Sequence, residues 1–226
     1  MSRVRVYFGD ASDNLRKQEP FVERAPYDLL VRNLGAQALV FLDQVHGKDG
    51  LIIDQNITGL FLFEQTGDFI VTNQMGVAIG VRTADCVPLV CVDESKKVIA
   101  VVHAGWKGAV AGVIEKTLTT MTERFCCDMC DVHCLIGPCG GACCYHVSED
   151  FALQAGDKLV QQFMHKNAQE HTFDLVGYAT QRMRGAGILR EHIDTCAHVC
   201  TICNSRFCSW RRKKSDNRNG TVVMLL

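Results

Sequence analysis

At 226 residues, 47% hydrophobic and 22% charged, the chain has the composition of a globular protein with a sizeable core, and its length predicts one domain. Its 24 basic and 25 acidic residues leave a formal charge of -1, which excludes a whole-molecule field drawing it to nucleic acid or a membrane. No apolar run reaches the roughly 18 residues of a membrane span, and Met1 to Arg5 lacks the apolar stretch of a signal peptide, so the sequence predicts a cytoplasmic protein. An odd count of 13 cysteines in such a chain argues for reduced thiols over a disulfide framework.

In chain order, Val4 to Phe8 alternates as an edge strand does, and Asp10 to Asn14 reads as its turn. Glu19 to Leu34 is loosely helical and stops at Gly35. Ala38 to Leu42, Phe69 to Val71 and Val77 to Val81 are near-continuous apolar runs, the pattern of buried strands. Leu89 to Val92 and Val98 to Val102 flank the polar run Asp93 to Lys97 and predict a hairpin-like pair. Val110, Val113, Ile114, Thr117, Leu118 and Met121 predict one amphipathic helix. Ser148 reads as the cap of a second helix, striped Phe151, Ala155, Leu159 and Phe163 to Met164. A third helix is predicted over Tyr178 to Leu189, and Thr221 to Leu226 as a last strand. The class is α/β or α+β.

Three segments place a metal-capable side chain beside a glycine or proline turn at the end of an apolar run. They are Gln44-Val45-His46-Gly47, Thr83-Ala84-Asp85-Cys86-Val87-Pro88 and Val102-His103-Ala104-Gly105-Trp106-Lys107-Gly108. Two imidazoles and a thiolate suit zinc, and three protein ligands leave an open position, as catalytic zinc sites do. A lone buried Cys or His is more often packing, so spacing by itself leaves this alternative open.

These segments, with Val71 to Val77, Ile136-Gly137-Pro138-Cys139, Cys143-Cys144-Tyr145, Cys200-Thr201 and Ser209-Trp210-Arg211-Arg212, resemble one family across roughly residues 10 to 226. It is known as polyphenol oxidoreductase laccase or peptidoglycan editing factor, and described as zinc-dependent purine nucleoside phosphorylases. The resemblance implies His46, Cys86 and His103 as zinc ligands and a single α/β domain, residues 1 to 226, with sandwiched sheets and outer helices. It also implies phosphorolysis and deamination of adenosine, with inosine, guanosine and methylthioadenosine as further substrates. The zinc-deaminase signature H-x-E with P-C-x-x-C is absent.

Lys107, in a glycine-flanked loop, is the better candidate for phosphate contact; Arg211, in the basic run Arg211 to Lys214, is either a phosphate ligand or part of a solvated face. Asp85 either orients a ligand or caps its own turn. Trp106 reads as packing and His133 as an exposed bystander. Cys196, Cys200, Cys203 and Cys208 could form a second zinc or iron–sulfur site, as could Cys126, Cys127, Cys130 and Cys134.

The sequence departs from the family in three places. His146 replaces an acid, Trp210 replaces a tyrosine, and an Arg-x-Gly-Gly-x-Ser segment has no match ahead of Val6-Tyr7-Phe8-Gly9-Asp10. From the last, weaker phosphate capture and a larger share of deamination are expected. A multicopper laccase would need on the order of ten histidines, and the chain has 8. The alternatives are a zinc hydrolase of cell-wall precursors and a non-enzymatic cysteine-rich metal-binding module.

Overall fold

The computed structural model describes residues 3–16, 23–167 and 170–226. In chain order the strands are β1 (Val4–Phe8), β2 (Ala38–Asp43), β3 (Gly50–Ile53), β4 (Gly59–Thr66), β5 (Phe69–Thr72), β6 (Val77–Thr83) and β7 (Val87–Asp93). They continue as β8 (Val98–Ala104), β9 (His133–Ile136), β10 (His146–Val147), β11 (Met164–Asn167), β12 (Glu170–Phe173), β13 (Ile193–Asp194) and β14 (Asn219–Leu225). The helices are α1 (Ala25–Leu34), α2 (Trp106–Ala111), α3 (Val113–Phe125), α4 (Phe151–Ala155), α5 (Leu175–Gly185) and α6 (Trp210–Lys213).

Two large sheets are stacked. One runs β1-β14-β6-β2-β4 and the other β13-β9-β7-β8-β5-β3; β10, β12 and β11 make a small third sheet. The apolar runs are continuous because both faces of each central strand are covered. Along β2, Val40 and Leu42 meet Ile70, Val90, Ile99 and Val101 of the opposite sheet, while Leu39 and Phe41 face Tyr27, Leu30 and Leu34 of α1. Along β8, Ala100 and Val102 turn outward to Ile114, Leu118 and Met121 of α3 and Tyr178 and Met183 of α5. The layers are therefore helix, sheet, sheet, helix, the sandwiched α/β architecture that the resemblance implies.

β1 pairs with β14 at a sheet edge and β7 with β8 as an antiparallel hairpin, both as expected. The expected amphipathic helix is two helices, because Gly112 at φ 94° breaks it between α2 and α3. The stripe from Phe151 to Met164 also breaks: Gly156 at φ 70° ends α4, and Lys158–Phe163 continues as a 3₁₀ segment. Ser148 gives no side-chain cap to α4, whose N-cap position is Asp150. Helix α5 starts three residues before the expected Tyr178, since the Asp174 side chain accepts from Gly177 N–H and opens the helix there. Of the segment Glu19 to Leu34, Ala25–Leu34 is helical and ends at Gly35 in the left-handed region, while residues 19–22 lie outside the described residues. Among the described residues no helix is long and apolar enough to cross a membrane.

Candidate functional site

The three motif segments meet at one end of the sandwich. His46 follows the end of β2, His103 is the penultimate residue of β8, and Cys86 precedes β7 where the chain crosses from one sheet to the other. Their ligating atoms all lie within 4.8 Å of one another. Cys86 Sγ is 3.8 Å from His46 Nε2, and the two imidazole rings cross edge to face with centroids 4.7 Å apart. His103 is buried, Cys86 half-buried and His46 exposed, so the group opens to solvent on the His46 side.

Asp68, absent from the sequence-based candidates, holds this geometry. It is fully buried just ahead of β5, and its Oδ1 is 2.8 Å from His103 Nδ1. The same carboxylate accepts the backbone N–H groups of His46 at 3.0 Å and Gly47 at 2.6 Å. One buried acid thus orients His103 and clamps the turn in which His46 adopts φ 59°. With Nδ1 engaged, His103 Nε2 is the nitrogen left for a metal, the arrangement common in histidine sites. Gln44 fixes the turn from its other end: its side-chain amide donates to Arg82 O and accepts from Arg82 N–H, both at 2.8 Å. Gly105 is required by close approach, since a Cβ there would stand 2.8 Å from His46 Cδ2 and 2.9 Å from Cys86 Sγ.

Burial would raise the Cys86 pKa, but the neighbouring His103 and His46 outweigh it and bring the thiol down to about 6. Burial would likewise lower His103, and the Cys86 thiolate with Asp68 pushes it up to about 9. The site is thus poised as a thiolate beside an imidazolium whose proton a metal ion would replace. Two nitrogens and one thiolate, a buried carboxylate behind one imidazole and an open fourth side form a donor set that fits zinc.

Two clefts share these residues. One of about 460 Å³ is lined by His46, Cys86 and His103 with Gln44, Arg82 and Arg218, and the second, of about 310 Å³, by His46 and Cys86 with Lys107, Tyr145 and Arg211. Both fall in the range of small-molecule sites, and Trp210 lines both.

The basic run divides by role. The Arg211 guanidinium lies 3.8 Å over the Tyr145 ring, at the cleft wall. Arg212 is occupied structurally by the carbonyls of Thr201, Ile202, Asn204 and Phe207. Lys107 is exposed in the first turn of α2. Asp85 is buried at φ 86° and accepts from Thr201 Oγ1 at 2.7 Å and Arg211 N–H at 2.8 Å, so it joins the Cys86 crossover to the loop and helix that carry Arg211. Trp106 packs edge-on against Phe151, and His133 is exposed and stacked on His192. Asp68 and Arg218 gave no local signal, being single residues in otherwise ordinary loops, and Tyr145 entered only as part of the Cys143-Cys144-Tyr145 motif, with no role of its own.

Residues 13–226 match the family described as multi-copper polyphenol oxidoreductase laccase. The chain belongs to that family. Among similar proteins, a purine nucleoside phosphorylase of Aquifex aeolicus is 35% identical over 71% of this chain and 71% of its own length. The mouse purine nucleoside phosphorylase LACC1 is 32% identical over 61% of this chain, which spans 32% of that longer protein. The crystal structure of Bacillus licheniformis hypothetical protein YfiH shares the fold at a TM-score of 0.81 with 22% identity, covering 99% of this chain and 93% of that one.

Proposed function

We propose that this chain is a zinc-dependent enzyme of purine nucleosides that phosphorolyses and deaminates adenosine, with inosine, guanosine and methylthioadenosine as further substrates. The observation that carries the reading is the convergence of His46, Cys86 and His103 at the junction of two ligand-sized clefts, in a family whose relatives include proteins named purine nucleoside phosphorylases. The chain acts as one catalytic domain, and its 13 free thiols support a reducing, cytoplasmic setting.

His46, Cys86 and His103 would hold the zinc, which supplies Lewis-acid polarisation and acidifies a bound water. In phosphorolysis a phosphate oxygen bonds to C1′ of the ribose while the bond to the purine nitrogen breaks and the base leaves with the bonding electrons. The enzyme must hold an anion on one side and stabilise charge on the departing base on the other. Positive side chains on both sides suit this: Lys107 and Arg211 line one cleft, Arg82 and Arg218 the other. Lys107 and Arg211 capture phosphate, and Trp210 offers an aromatic surface to the nucleoside. Asp68 keeps His103 in one tautomer and orientation, and Asp85 positions Arg211 through its backbone.

The test is incubation of the purified protein with adenosine, with and without phosphate, and separation of adenine, inosine and hypoxanthine. Phosphate-dependent adenine supports phosphorolysis and phosphate-independent inosine supports deamination. No turnover of any purine nucleoside by zinc-loaded protein would overturn the reading.

A further inference from the structure

A second group of soft ligands lies outside this site. Cys143 and Cys144 come from the turn after Gly141, and Cys200 and Cys203 from the turn before α6. The four Sγ atoms all lie within 4.8 Å of one another. The sequence suggested other partnerships, and the structure corrects them. Cys196 is exposed and Cys208 buried, both outside the group, while Cys134 pairs with Cys91 in the core.

Backbone contacts fix the two turns against each other. Cys139 and Cys200 form a parallel bridge, with Thr201 N–H donating to Cys139 O at 3.0 Å. Gly141 N–H donates to Cys200 Sγ at 3.3 Å. Gly141 is itself shaped by the sulfurs, since a Cβ there would meet Cys200 Cβ at 3.1 Å and the Sγ atoms of Cys143 and Cys200 at 3.4 Å. Cys143 and Cys203 are exposed and the other two half-buried, so apolar packing does not account for the gathering.

We propose that Cys143, Cys144, Cys200 and Cys203 bind a second zinc ion in closed tetrathiolate coordination. Four thiolates are a soft donor set, suited to zinc and unsuited to magnesium or calcium. A zinc–sulfur distance near 2.3 Å places tetrahedral sulfurs about 3.8 Å apart, so a spread limited to 4.8 Å needs closing by no more than about 1 Å. Binding releases one proton for each thiol that was not already ionised. With all four positions filled by protein, this zinc is structural. Tyr145, which underlies Arg211, directly follows Cys144; Thr201, which bonds Asp85, lies between Cys200 and Cys203; and the carbonyls of Thr201, Ile202 and Asn204 hold Arg212. The ion therefore clamps the loops that carry one wall of the second cleft. The proposal stands independently of the reading of His46, Cys86 and His103.

The test is metal analysis of protein purified under reducing conditions, on the wild type, Cys143→Ser/Cys203→Ser and Cys86→Ser/His103→Ala. The wild type should hold about two zinc ions per chain and each double variant about one. In cobalt-substituted protein, the intense sulfur-to-cobalt absorption should persist in Cys86→Ser/His103→Ala and fall to the share of the single Cys86 thiolate in Cys143→Ser/Cys203→Ser. A mercurial thiol titration of wild-type protein, read with a zinc-sensitive dye, should release two ions, one of them with the four thiols of the cluster and the other with Cys86, and this readout does not depend on a variant folding. Unchanged zinc in Cys143→Ser/Cys203→Ser, iron in place of zinc, or a disulfide among the four in reduced preparations would overturn the proposal.

Discussion

The His46, Cys86 and His103 centre and the four-cysteine cluster are linked through Asp85, which precedes Cys86 and accepts from Thr201 next to Cys200, yet they are built in opposite ways. The first hangs on sheet ends and on one fully buried carboxylate, Asp68, which binds His103 and the backbone of the His46 turn. Its shape is set by the protein, and its ligands leave an open side. The second hangs on two turns tied by the Cys139–Cys200 bridge and the Gly141 N–H donated to Cys200 Sγ, with two of its four thiols exposed. There the ion supplies the rigidity. A site that must do chemistry is preorganised by its scaffold, whereas a site that only fastens loops takes its order from the metal.

The largest expected effect is at the first centre. His103→Ala should remove its zinc and lower turnover of adenosine by on the order of 1000-fold, while the far-ultraviolet spectrum stays that of the wild type. Zinc retained at the first centre in this variant would show that His103 is not one of its ligands.

Asp68→Asn keeps the shape but removes the charge behind His103. Zinc affinity at the first centre should fall about 10- to 100-fold, measured by competition with a chromogenic chelator. The tetrathiolate ion should be unaffected, which is the sharpest separation of the two designs.

Lys107→Ala should raise the phosphate KM about tenfold and the nucleoside KM much less, as expected for loss of one charge-assisted contact. Equal changes in both would indicate that the loop as a whole had moved.

The smallest effect concerns the far end of the cysteine loop. Asp10 accepts from Ser12 and from the Arg206 guanidinium, which hold its carboxyl down to about 2 from the usual 3.8. A lowered pKa in the folded state gives stability that is complete above the unfolded value and is lost as pH falls from about 4 toward 2. Acid unfolding of Asp10→Asn should therefore lack a small component in that window. Its loss in the wild type at higher pH would argue against the pairing.

Much of the frame is legible from the chain alone. The apolar runs at Ala38 to Leu42, Phe69 to Val71, Val77 to Val81 and the pair around Asp93 to Lys97 all form strands, because a short run of apolar residues bounded by turn residues suits a strand that is covered on both faces. β3 and β4 escape such a reading: their residues are half-exposed and their pairing with β5 and β2 is parallel, set by distant chain. The helix spanning Gly112 and the stripe spanning Gly156 look continuous in sequence, because side-chain periodicity survives a left-handed glycine that the backbone does not.

At the site, residue type and local turn chemistry determined that His46, Cys86 and His103 were worth attention, since each is a soft ligand at the edge of an apolar run. That they meet was decided by sheet stacking, which brings the ends of β2 and β8 and the start of β7 to one edge of the sandwich. Asp68 could be recognised only there, because its function is defined by three partners more than twenty residues away in the chain. The cysteines make the same point: Cys200 and Cys203 form a visible C-x-x-C step, but their partners Cys143 and Cys144 come from another loop. Sequence carries the donor chemistry of a side chain, while coordination is a distance between atoms, and only the packed fold fixes distances across more than fifty residues of chain.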